Sequence, residues 1–275
     1  MASNTEEAPI RLSDALPESK LGTKAHWDEV YERELNNWKD HGDEGEVWFG
    51  EEAVDRMVSY LEQAFEDGTI DLETVSSDEH AILDLGMGNG HLLFALHESS
   101  DVEVPPTSML GIDYSPASVS LAKRIGKEKG EEAEEVRFEQ ADLLDDDVVE
   151  RLAGANRWAI VCDKGTMDAI ALSSQLIRGR LPVDLYTRAV AKLTRPGGIF
   201  LITSCNFTKD ELIRRFTEGD DRRPNWVIHD YYLLQAQAMN QKRARKSPNL
   251  AMEHHAAVES HRMTPYFVNM ASEVA

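Results

Sequence analysis

Three glycines at alternate positions, Gly86, Gly88 and Gly90, follow an apolar run that ends in Asp84, within the stretch ILDLGMGNGH. Glycine at such positions allows a tight strand-to-helix turn and lets a ligand approach bare backbone. A dinucleotide fingerprint, G-x-G-x-x-G, would set pyrophosphate on the helix N-terminus. Here the third glycine arrives one residue early, and His91 holds the fingerprint position. No Gly-Lys-Ser/Thr follows, which excludes a Walker loop. The bland alternative is a tight loop with Asp84 as a helix cap.

The carboxylate separates the candidate ligands. Asp84 at a strand end repels pyrophosphate and suits a ligand bearing an ammonium or a sulfonium. S-adenosylmethionine carries both, together with an adenosine and no phosphate. The next apolar run, MLGIDYS, ends in Asp113. An acid about twenty residues after the glycines is placed to accept both ribose hydroxyls, and Tyr114 beside it can pack on an adenine. VRFEQADLL then offers Asp142 to the adenine amino group. For Asp142, a solvated cap of the following helix stays open.

WAIVCDKGTMDAI, at 158–170, is the most unusual stretch. Ending the fourth strand beside the ligand crevice, it is expected to turn Asp163, Lys164, Gly165 and Thr166 toward the methyl group and its acceptor. Asp163 is the expected catalytic residue, orienting an amine or passing its proton to water. Gly165 is expected to leave room for an incoming side chain, and Lys164 to be an exposed lysine with a solvated head. LITSCNFT adds Ser204 and Asn206 as a polar rim on the substrate side. Trp48 and Phe49, with Trp27 and Tyr31, either wall a channel that favours a cation or pack in the core.

The elements that must position these residues follow from periodicity. Short β-branched or leucine-rich runs at 81–85, 109–112, 136–138, 158–162 and 198–203 alternate with helical patterns at 91–98, 116–129, 146–153, 183–194 and 208–217. That alternation predicts an α/β fold, an open doubly wound, mostly parallel sheet covered on both faces. RPGG at 195–198 reads as a helix stop and turn. Upstream, Trp27, Val30, Tyr31, Leu35 and Trp38 share one helical face, and Val54, Met57, Val58, Leu61 and Phe65 another. The expected organisation is a disordered lead-in over 1–22, a helical extension over 23–79 and a ligand-binding core over 80–235. A divergent tail over 236–275, expected to be poorly ordered, follows. Beyond Pro224, WVIHDYYLL and PYFVNM are the segments that can form strands.

Composition bounds the function. The chain has 275 residues, a formal net charge of −21 and two cysteines. Such acidity argues against nucleic acid bound through its phosphates and permits a basic protein partner. Two cysteines make neither a disulfide scaffold nor a zinc site, so no metal is expected and a reducing compartment is. The N-terminus lacks signal-peptide order and no apolar run reaches eighteen residues, so no membrane association is expected.

Taken in order, DLGMGNG, GIDYS, QADLL, CDKGT and GGIFLITSCN resemble the seven-strand class I methyltransferases that use S-adenosylmethionine (a Rossmann-like fold). LGTKAHWDEVYERELNNWKDHGDEGEVWFGEE, CDKGTMDAI and LITSCNFTKDEL are similar, more narrowly, to the lysine methyltransferases of elongation factor 1-alpha, type 2. The likeness runs from about Leu21 to Phe216. It implies a cytoplasmic, monomeric enzyme that methylates a lysine nitrogen on a basic protein, elongation factor 1-alpha. It also implies that Asp84, Gly86, Gly88 and Gly90 hold the methionine moiety, Asp113 the ribose, and Asp142 with Leu143 the adenine. The family's glycine-rich C-terminal hairpin has no recognisable counterpart after Pro224. A small-molecule methyltransferase and a catalytically silent cofactor-binding scaffold are the rival readings on the same fold.

Overall fold

The computed structural model describes residues 15–217, 226–233 and 266–272. Two helices precede the sheet. Helix α1, Lys24–His41, starts at the Thr23 side chain, which accepts from the His26 amide, and stops at left-handed Gly42. Helix α2, Glu51–Glu66, buries Val54, Met57, Leu61 and Phe65, the stripe its spacing predicts. A one-turn helix α3, Leu72–Ser76, leads into the first strand.

The alternation then runs as β1 Ile82–Leu85, α4 His91–Glu98, β2 Met109–Asp113, α5 Pro116–Lys129, the short α6 Glu131–Glu134 and β3 Arg137–Gln140. It continues as α7 Asp146–Ala153, β4 Trp158–Lys164, α8 Thr166–Ala171, α9 Pro182–Leu193, β5 Thr194–Ser204 and α10 Lys209–Thr217. Strands β6, Trp226–Leu233, and β7, Tyr266–Ser272, complete the described sheet. Its order is β3-β2-β1-β4-β5-β7-β6. The first five strands are parallel, and β7 lies antiparallel between β5 and β6.

Strand parity decides what each face packs against. Ile82, Ile160, Cys162 and Leu201 join the apolar layer of α2, α4 and α5. Leu83, Leu85, Val161 and Ile202 join the opposite layer, built from α7, α8, α9 and α10. The strand order reverses between β1 and β4, and their carboxyl ends open the crevice where ligands bind in such sheets.

Three expectations change. Residues 15–22 are no lead-in: Leu16 packs on the α7–α10 layer, Ser19 donates its amide to the Leu172 carbonyl at 3.2 Å, and Lys20–Gly22 form a 3-10 turn. The segment expected as a tail contains β7, which pairs along its length with β5 from Ile199↔Ala271 to Ser204↔Tyr266. The sheet therefore has its antiparallel C-terminal pair, although the sequence between the two strands contains no glycine. RPGG does not precede β5 but bulges from it, since Trp158 pairs with Thr194 and Ile160 already with Ile199. Residues 236–262, with the expectation of poor order, lie outside the described residues. Among those described, no helix is long and apolar enough to cross a membrane.

Candidate active site

The glycine turn is held from three sides. Asp113, at the carboxyl end of β2, accepts the Gly88 amide at 3.2 Å and the Ser115 amide at 2.9 Å. Ser118 donates its hydroxyl to the Gly88 carbonyl at 2.6 Å. Gly86 and Gly88 are left-handed, with φ of 64° and 61°. A Cβ on Gly88 would lie 2.6 Å from the Tyr31 hydroxyl. The turn must be bare because α1 closes directly over it.

Below that turn and along the ends of β2, β3, β4 and β5 lies one cavity of about 1070 Å³. Of the residues predicted for a cofactor, Gly86, Gly88, Asp113, Tyr114, Asp142 and Leu143 line it. Asp84 and Gly90 do not. Asp84 is 2% exposed and sits behind the wall. Gly90 starts α4, and a Cβ there would press on the Phe138 and Phe94 rings, so its bareness serves packing. Trp48, Phe49 and Asn206 line the substrate side, with Trp27 and Tyr31 beside them. Trp27 meets Trp48 edge to face at 4.6 Å between centroids. The aromatic residues are thus both packing and wall.

Three predicted roles are corrected. Asp163 was expected to face the acceptor. Its parity with Val161 turns it instead into the α8–α9 layer. There it accepts the Thr166 amide at 2.7 Å, the Met167 amide at 2.9 Å and the Tyr186 hydroxyl. It is fully buried, and burial pushes its carboxyl up to about 7. It anchors the start of α8. Ser204, also fully buried, donates to Asp168 at 2.6 Å rather than to the cavity. Gly165 leaves no vacant room either, since a Cβ there would lie 2.2 Å from the Phe49 ring.

The structure adds residues that the sequence reading passed over. Asp168 on α8 lines the cavity and receives the Cys205 and Asn206 amides at 2.7 and 3.1 Å, which fixes the loop after β5. Burial raises its carboxyl against these donors. Lys24, from α1, pairs with Asp142 and lies over the Tyr114 ring at 5.4 Å, while Tyr114 donates to the Lys24 carbonyl at 2.6 Å. The lysine expected to be solvated, Lys164, lines the cavity and donates to the Trp48 carbonyl at 2.9 Å. Enclosure lowers its affinity for a proton, and Asp84, Asp163 and Glu51 oppose that. Asp113 is pushed up to about 6 by burial, against the lowering effect of the Ser115 and Gly88 amides.

The arrangement combines a bare turn, an acid and an aromatic ring at one end, and a tryptophan–phenylalanine wall at the other. It suits a nucleoside joined to a polar chain, with an acceptor entering past Trp48 and Phe49.

Comparison with known proteins agrees with that geometry. A methyltransferase domain model matches residues 76–255. The protein-lysine N-methyltransferase efm4 of Schizosaccharomyces pombe is 47% identical over 215 residues, spanning 78% of this chain and 85% of the relative. EEF1A lysine methyltransferase 2 of Homo sapiens is 36% identical over 207 residues, spanning 75% and 77%. Among solved structures, that of the [4+2]-cyclase SpnF superposes with a TM-score of 0.55 at 15% identity, covering 95% of this chain and 100% of that one. This last likeness bears on the fold alone. The fold, the turn-and-acid constellation and these matches place the chain in the class I methyltransferases, in the family of efm4 and the EEF1A lysine methyltransferases 2.

Proposed function

We propose that this chain transfers methyl groups from S-adenosylmethionine to a lysine side chain of translation elongation factor 1-alpha. Its family relatives are named for lysine methylation, one of them for that factor. The observation that carries the cofactor reading is the Asp113–Gly88 contact at 3.2 Å, which sets an acid beside a bare peptide at a topological switch point. The residues fit the group. Asp113 would take the ribose hydroxyls, Tyr114 and Leu143 would flank the adenine, and Asp142 would take its amino group by exchanging its bond to Lys24. Gly86 and Gly88 leave backbone open to the amino-acid end.

When bound, S-adenosylmethionine supplies an electrophilic methyl group on a sulfonium. What remains for the protein is positioning of a neutral amine. An ordinary lysine ammonium has a pKa of about 10.4 and must lose a proton first. Neither Asp163 nor Asp168 is placed to take that proton, because Asp163 is spent on α8 and the oxygens of Asp168 hold Ser204, Cys205 and Asn206. Trp48 and Phe49 exclude water around the entering amine, and a dry surrounding favours the neutral form. The proton leaves to solvent at the cavity mouth.

The net charge of −21 fits a basic protein partner. Cys162 and Cys205 are free thiols, in keeping with work in the cytoplasm. The test is methyl transfer from labelled S-adenosylmethionine to purified elongation factor 1-alpha and to a cytosolic extract. Label on that factor, at a lysine, supports the reading. Label only on small molecules, or cofactor binding without transfer, overturns it.

A further inference from the structure

We propose that Lys164 receives the carboxylate at the amino-acid end of the cofactor, with Asp84 behind it as a positioning residue. The proposal rests on the S-adenosylmethionine reading above.

Register places Lys164. Leu85 pairs with Asp163, so the next residues, Gly86 and Lys164, stand side by side where both strands end and the glycine turn begins. Lys164 shares a face with Cys162, itself paired with Asp84. The lysine therefore projects from the cavity side of that face, with the buried aspartate one step deeper. Asp84 does not line the cavity, whereas Lys164 does. No hydrogen bond or ion pair within 4 Å joins the two among the described residues. The aspartate supports the lysine's charge through space, as the leading influence favouring its protonated form.

An ammonium carries three donors. One goes to the Trp48 carbonyl at 2.9 Å, which pins the side chain between the turn and the aromatic wall. The others are free to meet an anion.

A carboxylate brought into this cavity needs such a partner. Burying an unpaired carboxylate is costly, and the cavity is otherwise lined with acids, Asp113, Asp142, Asp168 and Glu46 among them. Its lining holds two further lysines. Lys24 is paired with Asp142 at the adenine end, and Lys20 stands in the 3-10 turn before α1. Lys164 is the cation at the glycine turn, where the amino-acid end lies once Asp113 holds the ribose. This arrangement also revises the role of Asp84. With Lys164 between it and the cavity, the aspartate stands behind a lysine rather than beside a ligand cation.

The test compares two ligands by calorimetry on the full chain. S-adenosylhomocysteine has the amino-acid end, and 5′-methylthioadenosine lacks it. Lys164→Met should weaken the first by at least about tenfold and leave the second unchanged within about twofold. Since the single change strands a buried carboxylate, Lys164→Met with Asp84→Asn serves as the second variant and should show the same selective loss. On the wild-type chain, decarboxylated S-adenosylhomocysteine should bind at least about tenfold more weakly than the parent. Equal weakening of both nucleosides, unchanged binding of S-adenosylhomocysteine, or indifference to the ligand's carboxylate would each overturn the assignment. A wild-type chain that binds neither nucleoside would instead overturn the cofactor reading beneath it.

Discussion

Asp168 accepts the Ser204 hydroxyl at 2.6 Å, and the bond ties the helix after β4 to the loop after β5. The same carboxylate takes the Cys205 and Asn206 amides, while Asn206 returns its side-chain amide to the Asp168 carbonyl at 3.2 Å. Two cavity walls from different strands thus move as one body. Asp168→Ala leaves one buried and two half-buried donors without their acceptor. Hydrogen bonds to a charged group contribute about 1.5–3 kcal/mol each, and the losses overlap. Denaturant unfolding should show at least about 3 kcal/mol of destabilisation. Ser204→Ala should show about 1–2 kcal/mol. If the larger change were no costlier than the smaller, the loop would be held by something else.

Asp113 gives a pH signature. Its carboxyl rises from the usual 3.8 to about 6 in the folded chain because burial penalises the charge. Between those values the native state binds more protons than the unfolded state, so stability falls as pH rises. The contribution is complete below the unfolded value and gone above the folded one. Two pH units correspond to about 3 kcal/mol. Asp84 and Asp163, pushed up to about 8 and about 7 by burial, add to the same decline. Unfolding of the ligand-free chain from pH 4 to 7 should record it, and Asp113→Asn should make it shallower. A variant with the parental slope would assign the decline to Asp84 and Asp163 alone.

Much of this was legible in the residues, for identifiable reasons. The short β-branched and leucine-rich runs and their spacing carry the parallel sheet, and a strand that ends in Asp113 or Asp142 carries its acid to the crevice whatever surrounds it. Facing is harder to read. In WAIVCDK, parity sets Asp163 and Lys164 on opposite faces, but nothing local says which face holds the cavity. Reversing that choice made Asp163 the reactive group and Lys164 the solvated one. Lys24 reaches the site only because the N-terminal helices fold back over the turn, a long-range event with no local signal. For β7, PYFVNM carries a strand signal, but nothing local names its partner β5, more than sixty residues upstream.

Asp163 therefore calls for a revised expectation. Its two oxygens cap α8 and hold Tyr186. Asp163→Asn keeps one acceptor and loses the other. Stability should drop by about 1–3 kcal/mol, while turnover per folded molecule stays within about threefold. Full stability with turnover reduced by about tenfold or more would return Asp163 to the chemistry.

Phe49 and Gly165 meet at the acceptor wall, and their contact offers a test confined to that wall. Phe49 holds a left-handed backbone, φ 66°, which a bulky residue adopts only under constraint. Gly165, φ 91°, starts α8, and its lack of a side chain lets the ring lie against the peptide. A methyl group there would sit 2.2 Å from Cε2, so Gly165→Ala must displace the ring. It also places a side chain on a left-handed residue, at about 1–2 kcal/mol. Nucleoside affinity should stay within about threefold, because Asp113, Tyr114 and the glycine turn are untouched. The kcat/KM for the protein acceptor should fall by at least about tenfold, or about 1.4 kcal/mol. Phe49→Ala alone should lower it as well, by removing the wall. Combining the two should cost less than their sum, since without the ring the new methyl group has nothing to displace. Strict additivity would mean that Gly165 acts through its own backbone and that the Phe49 ring does not shape the entrance.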